Sequence, residues 1–155
     1  MVPTDTLDYV HSMREKLELT LRRAGIIVAL LGKGESGLVE RRRIASVLRT
    51  QGVIALVPED DFPKEAGPSL VEPAVLSESD VDLVFLNVDS WGSAVEFGGF
   101  HRHPAIAPKL RVLVSPDHHP LHSPMRGYLM DLYLTHLAAF GHVYPVDGKR
   151  RVPLL

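Results

Sequence analysis

Five brief apolar runs, each separated from the next by a helix-length stretch, constrain this chain more than any other feature. Ile26 to Leu31, Val53 to Val57, Val81 to Val88, Leu110 to Val114 and His142 to Tyr144 are short and rich in β-branched residues. They are apolar without strict alternation, the pattern of strands covered on both faces and hence of a parallel sheet between helices. Between them the spacing predicts helices over Leu38 to Thr50, Leu70 to Ser79, Ala94 to His101 and Met125 to Ala139, bounded by glycine, proline and polar residues. The alternation β-α-β-α-β-α-β-α-β is that of a doubly wound α/β domain. Ahead of the first strand, Val10, Met13, Leu17, Thr20, Leu21 and Ala24 share one face of a charged segment. An extra N-terminal helix is therefore expected over residues 1–24, covering a sheet face or meeting its own copy in a dimer.

A chain of 155 residues fits a single domain, since roughly 100–200 residues usually share one core. It has no cysteine, which removes thiolate chemistry, disulfides and Cys-ligated metals, so any catalysis must run on Ser, His, Asp, Glu, Lys or Tyr. With 17 basic against 19 acidic side chains it lacks the basic excess of a protein that grips nucleic-acid phosphates. No stretch reaches the roughly 20 apolar residues of a membrane span. The opening Met-Val-Pro-Thr-Asp does not have the charged-then-apolar order of a secretory signal, so a cytoplasmic location is expected. Asn87 and Gln51 are the sole side-chain amides beside 12 prolines, a depletion that leans towards a thermophilic source.

In open parallel sheets, ligands sit beyond the carboxyl ends of the strands where the winding reverses. The loops at residues 32–37, 58–68, 89–93 and 115–124 are the candidates. After the third strand comes Asp89-Ser90-Trp91-Gly92-Ser93-Ala94-Val95-Glu96-Phe97-Gly98-Gly99-Phe100. Ser90 and Ser93 can cap a helix start, and Gly92 permits close approach of a ligand. Glu96 is expected in the first helical turn, where the dipole favours an ionised carboxylate able to attack a sugar carbon losing its leaving group. Ser93 and Glu96 can equally close an S-x-x-E capping box.

The run S-x-G-S-x-x-E-x-G-x-F, from Ser90 to Phe100, resembles the catalytic segment of nucleoside 2-deoxyribosyltransferase-like proteins and their TIR-like relatives. The resemblance covers roughly residues 26–115. It implies a flavodoxin-like three-layer α/β/α fold with a five-stranded parallel sheet, and cleavage or transfer at the N-glycosidic bond of a nucleoside, nucleotide or NAD. It further implies Glu96 as the catalytic residue, no cofactor, and a homo-oligomer that completes its pockets from a neighbouring subunit. Val57-Pro58-Glu59-Asp60-Asp61-Phe62 is similar to the acidic loop after the second strand in some of these proteins. Where deoxyribosyltransferases carry Asp six positions before the Glu, this chain has Ser90, which fits hydrolysis or cleavage of a ribosyl nucleotide better than deoxyribosyl transfer. On this reading Ser90 and Ser93 position the sugar, Asp89, Asp60 or Asp61 protonates the leaving base, and Trp91 stacks on the base or packs under the loop.

A rival reading starts from Gly32-Lys33-Gly34-Glu35-Ser36-Gly37, which fits G-x-G-x-x-G between a strand and a helix. The acidic Glu59 lies 27 positions after Gly32, farther than a dinucleotide-binding domain places its ribose ligand. Under either chemistry Gly32, Lys33, Gly34 and Gly37, with Glu59 and Asp60, are candidate nucleotide contacts. Arg41, Arg42 and Arg43 follow on three sides of the next helix, so at most two can face a phosphate and the rest pair with Glu40 and its neighbours. His101 and His103 are expected at one end of the sheet and Asp117, His118, His119 and His122 at the other, an arrangement that cannot build one metal site. No metal is assigned. A non-catalytic nucleotide-binding module of the same fold is the second functional expectation.

Overall fold

The computed structural model describes Ser12 and residues 25–78 and 80–147. The N-terminal helix expected over residues 1–24 therefore lies outside the described residues, Ser12 apart. Five strands are present: β1 (Ile27–Leu31), β2 (Ile54–Leu56), β3 (Leu83–Val88), β4 (Leu110–Val114) and β5 (Val143–Pro145). All pair in parallel, in the order β2-β1-β3-β4-β5. This is the flavodoxin-like order, in which the winding reverses between β1 and β3.

The helices are α1 (Gly34–Thr50), α2 (Pro58–Asp61), α3 (Pro68–Ser77), α4 (Trp91–Phe100) and α5 (Tyr128–Phe140). Two hydrophobic clusters show how they divide. On one face Ala45 of α1 packs with Val28 and Leu30 of β1, Ala55 of β2 and Val57. On the other, Leu76 of α3, Phe97 and Phe100 of α4 and Tyr133 of α5 pack on Ala29 and Leu31 of β1 and the inward side chains of β3 and β4. That division follows from right-handed crossovers, because the chain steps from β1 to β2 in one direction and from β2 through β5 in the other.

Local chemistry sets the ends of the elements. Pro58 occupies the first turn of α2, and Glu59, Asp60 and Asp61 stand at the positive end of its dipole, so the expected acidic loop is a helical turn. Helix α1 starts four residues before the expected Leu38, which places Gly34 and Gly37 inside it. Gly32 alone of that motif needs to be glycine. Its φ of +153° disfavours a side chain, and a Cβ there would lie 3.2 Å from both Cβ and the carbonyl oxygen of Asn87 on β3. Gly127 opens α5 at φ +141° and Gly141 closes it at +73°. No helix among the described residues is long and apolar enough to cross a membrane.

Candidate functional site

Beyond the carboxyl ends of β1, β2 and β3 lies a cavity of about 380 Å³. Gly32 and Gly34 form one side, Glu59 and the 62–68 segment the second, Val71 and Glu72 of α3 the third, and Ser90, Gly92, Ser93 and Glu96 of α4 the last. The strand order places a cleft at this reversal point, and the loops fill its rim.

The α4 wall is built by a reciprocal cap. Ser90 precedes the helix, its hydroxyl accepting the Ser93 N–H at 3.3 Å, while the Ser93 hydroxyl accepts the backbone N–H groups of Ser90 at 3.0 Å and Asp89 at 3.2 Å. The expected box between Ser93 and Glu96 is thus corrected: the partners are Ser90 and Ser93, because Ser93 stands third in a helix that begins at Trp91. Glu96 consequently falls in the second turn, facing the cavity, and closes no helix end.

The dipole does not hold Glu96 ionised. Burial first, and then the charge of Glu72, push its carboxyl from the ordinary 4.5 up to about 7, Arg41 opposing and Glu59 adding to the rise. Its Oε2 is fully buried and has no hydrogen-bond partner. Glu72 behaves alike, pushed to about 6 by burial and by Glu59 against the pull of Arg41. Both carboxyls line one cavity, and the charge of Glu72 makes the ionisation of Glu96 more costly.

Glu59, the third carboxylate of the wall, has the opposite fate. Burial works to raise its pKa, but the Arg41 guanidinium grips both oxygens, at 2.6 and 2.7 Å, and holds the group below the usual carboxylate range. Arg41 is 8% exposed and also donates to the carbonyl oxygens of Lys33 at 3.1 Å and Gly34 at 3.4 Å. It ties the β1 turn to α2, two walls of the cavity at once. Arg42 instead pairs with Asp60, and Arg43 with Glu40, both on the surface.

The expected site residues are therefore brought together in part. Gly32, Gly34, Glu59, Ser90, Gly92, Ser93 and Glu96 share the cavity. Lys33 and Gly37 do not line it, and Asp60 is held by Arg42. Asp61, weighed as a proton donor, accepts from Arg49 and from the Val57 N–H. Asp89 and Trp91 line a separate groove with Ser115, His118 and Tyr133, on the far side of the α4 start. Trp91 is 90% exposed and packs under nothing.

Sequence reasoning missed Glu72 and the buried role of Arg41. Glu72 lies in a helix whose apolar pattern carries no motif. Arg41 was legible only as one of three consecutive arginines, and a register of 100° per residue that turns one of them inward is the signal that could have singled it out. The histidines do occupy different places: His101 Nδ1 lies 3.2 Å from His136 Nδ1 beneath the start of β4, whereas His119 is buried against the Val143 carbonyl. Among the described residues no group of three or more acidic or histidine side chains is placed to hold a metal ion. No known family's sequence profile matches the chain, and no curated protein matches it.

Proposed function

We propose that the protein cleaves or transfers the N-glycosidic bond of a nucleoside, nucleotide or NAD, with Glu96 as the nucleophile. The observation that carries this reading is the Glu96 carboxyl itself: it faces a cavity at the winding reversal with one oxygen buried and unpartnered, and a second carboxyl, Glu72, lines the same cavity. A structural carboxylate would have found a donor, as Glu59 has in Arg41.

The reacting state is the less populated arrangement of the pair, in which Glu96, the carboxyl that keeps its proton to the higher pH, is ionised and Glu72 carries the proton. The Glu96 oxygen forms a bond to the anomeric carbon as the carbon–nitrogen bond breaks, and the electron pair of that bond goes to the base. Glu72 delivers its proton to the base nitrogen, a role that Asp60, Asp61 and Asp89 are not placed to play. Water or a second base then displaces Glu96 from the sugar, with Glu72 taking up the proton released. Ser90 and Ser93 lie on the same wall, where their hydroxyls are engaged with one another at 2.9 Å. They hold the start of α4 and thereby the direction of Glu96.

The test is chromatographic analysis of nucleosides, nucleotides and NAD incubated with the protein and with its Glu96→Gln variant. Loss of at least about a thousandfold in rate is expected when the nucleophile becomes an amide. Equal turnover by the variant refutes the assignment.

A further inference from the structure

The charge of the cavity wall says what kind of substrate it can admit. Of its ionisable side chains three are carboxylates, Glu59, Glu72 and Glu96, and one is a cation, Lys64. Arg41 lies behind Glu59, and four of its hydrogen bonds run to that carboxylate and to the Lys33 and Gly34 carbonyls. Its Nε alone is without a partner, and that atom is buried. The N-terminus of α1, where a phosphate would be expected to settle, carries Glu35 in its first turn. Lys33, the nearest cation in sequence, does not line the cavity.

We infer that the cavity selects a cationic, phosphate-free nucleoside, such as a ribosylated pyridinium or an N-alkylated purine nucleoside, whose positive heterocycle lies against Glu72 while Glu96 faces the opposite side of the anomeric carbon. This rests on the reading of the cavity as an N-glycosidic site and narrows its substrate class. A positive ring lets both carboxylates ionise, relieving the repulsion between them, whereas a phosphate adds a further negative charge to the same enclosure. The chemistry balances without a general acid. The carbon–nitrogen bond breaks with its electrons passing to the ring nitrogen, which becomes neutral. The Glu96 oxygen bonds to the anomeric carbon, water then replaces it, and one proton is released per turnover.

Isothermal titration of the full chain with nicotinamide riboside, its uncharged dihydro form and its 5′-phosphate separates these possibilities, at low temperature where turnover interferes. The cation is expected to bind at least about tenfold more tightly than either comparator, with proton release near neutral pH visible as a dependence of the heat on buffer. The preference should shrink in Glu72→Gln, its fold checked by circular dichroism. Equal affinities, tighter binding of the phosphate, or no binding of the cation at millimolar concentration overturn the inference. Turnover of uncharged nucleosides without any preference for the cation refutes charge selection and leaves the glycosidic reading standing. Preferential binding of the cation without cleavage does the reverse.

Discussion

Glu96→Gln should make the folded protein more stable, and only at higher pH. The carboxyl is pushed from 4.5 to about 7 in the fold, so between those values the native state holds a proton that the unfolded chain has already lost. Where the native state binds more protons, stability falls as pH rises; the penalty is absent below about pH 4.5 and complete above about pH 7. At about 1.4 kcal/mol per tenfold change in affinity for the proton, the displacement alone corresponds to about 3 kcal/mol. The side chain is not wholly enclosed, and screening by water brings the expectation to about 1–2 kcal/mol. The glutamine amide fills the same volume without titrating, and removal of the negative charge also eases Glu72, whose own rise owes nothing to hydrogen bonds. Urea unfolding of both proteins at pH 5 and pH 8 supplies the measurement. The variant's advantage should be about 1–2 kcal/mol larger at pH 8 than at pH 5. His136, which burial lowers to about 4, titrates over an overlapping range in the opposite sense, but it is common to both proteins and cancels in the difference. A variant whose relative stability is the same at the two pH values, or worse at pH 8, refutes the claim that Glu96 is held against its preferred ionisation.

Other consequences are open to direct measurement. Gly32→Ala should cost about 2–4 kcal/mol in urea unfolding, from the positive φ together with the 3.2 Å approach to Asn87, whereas Gly34→Ala, with nothing within 4 Å and a helical backbone, should cost nothing or stabilise slightly. Arg41→Met should lose about 2–3 kcal/mol, because it strands Glu59 half-buried and frees the Lys33 and Gly34 carbonyls, while Arg42→Met should leave the unfolding midpoint unchanged. Trp91, the single tryptophan, should be fully accessible to acrylamide in the native protein, and its emission should not change when a ligand fills the cavity lined by Glu96. A large change on binding would place the ligand in the Trp91 groove instead.

The sheet was legible because its strands are short, β-branched apolar runs bounded by turn residues, although only β1 is buried at all but one of its positions and the edge strands β2 and β5 carry exposed positions. Leu110–Val114 agrees at both ends, and the other strands differ by one or two residues at their margins, where buried residues such as Val57 and Val81 extend past the paired backbone. The helix starts were read less well. Helix α1 was placed too late because glycines at 34 and 37 suggested a turn, although their backbones are helical and the Arg41 contacts draw the segment inward. Likewise, Ser93 and Glu96 have the spacing of a capping box, yet Ser90 had already taken the capping position.

By itself, then, the sequence determined the layered α/β architecture and marked the segment from Ser90 to Phe100 as a place to look, while the strand order that sets the reversal point came from the tertiary structure. The architecture and the segment depend on periodicity and on short-range backbone chemistry, which neighbouring residues carry. Only the tertiary structure decided which carboxylates face one another. Glu59, Glu72 and Glu96 come from three helices in two crossovers, and their protonation depends on burial and on mutual distance. A carboxylate's affinity for its proton is set by what surrounds it in space. Arg41 therefore holds Glu59 ionised, while Glu96, two helices away, is left in a buried enclosure with an unpartnered oxygen and a repelling neighbour.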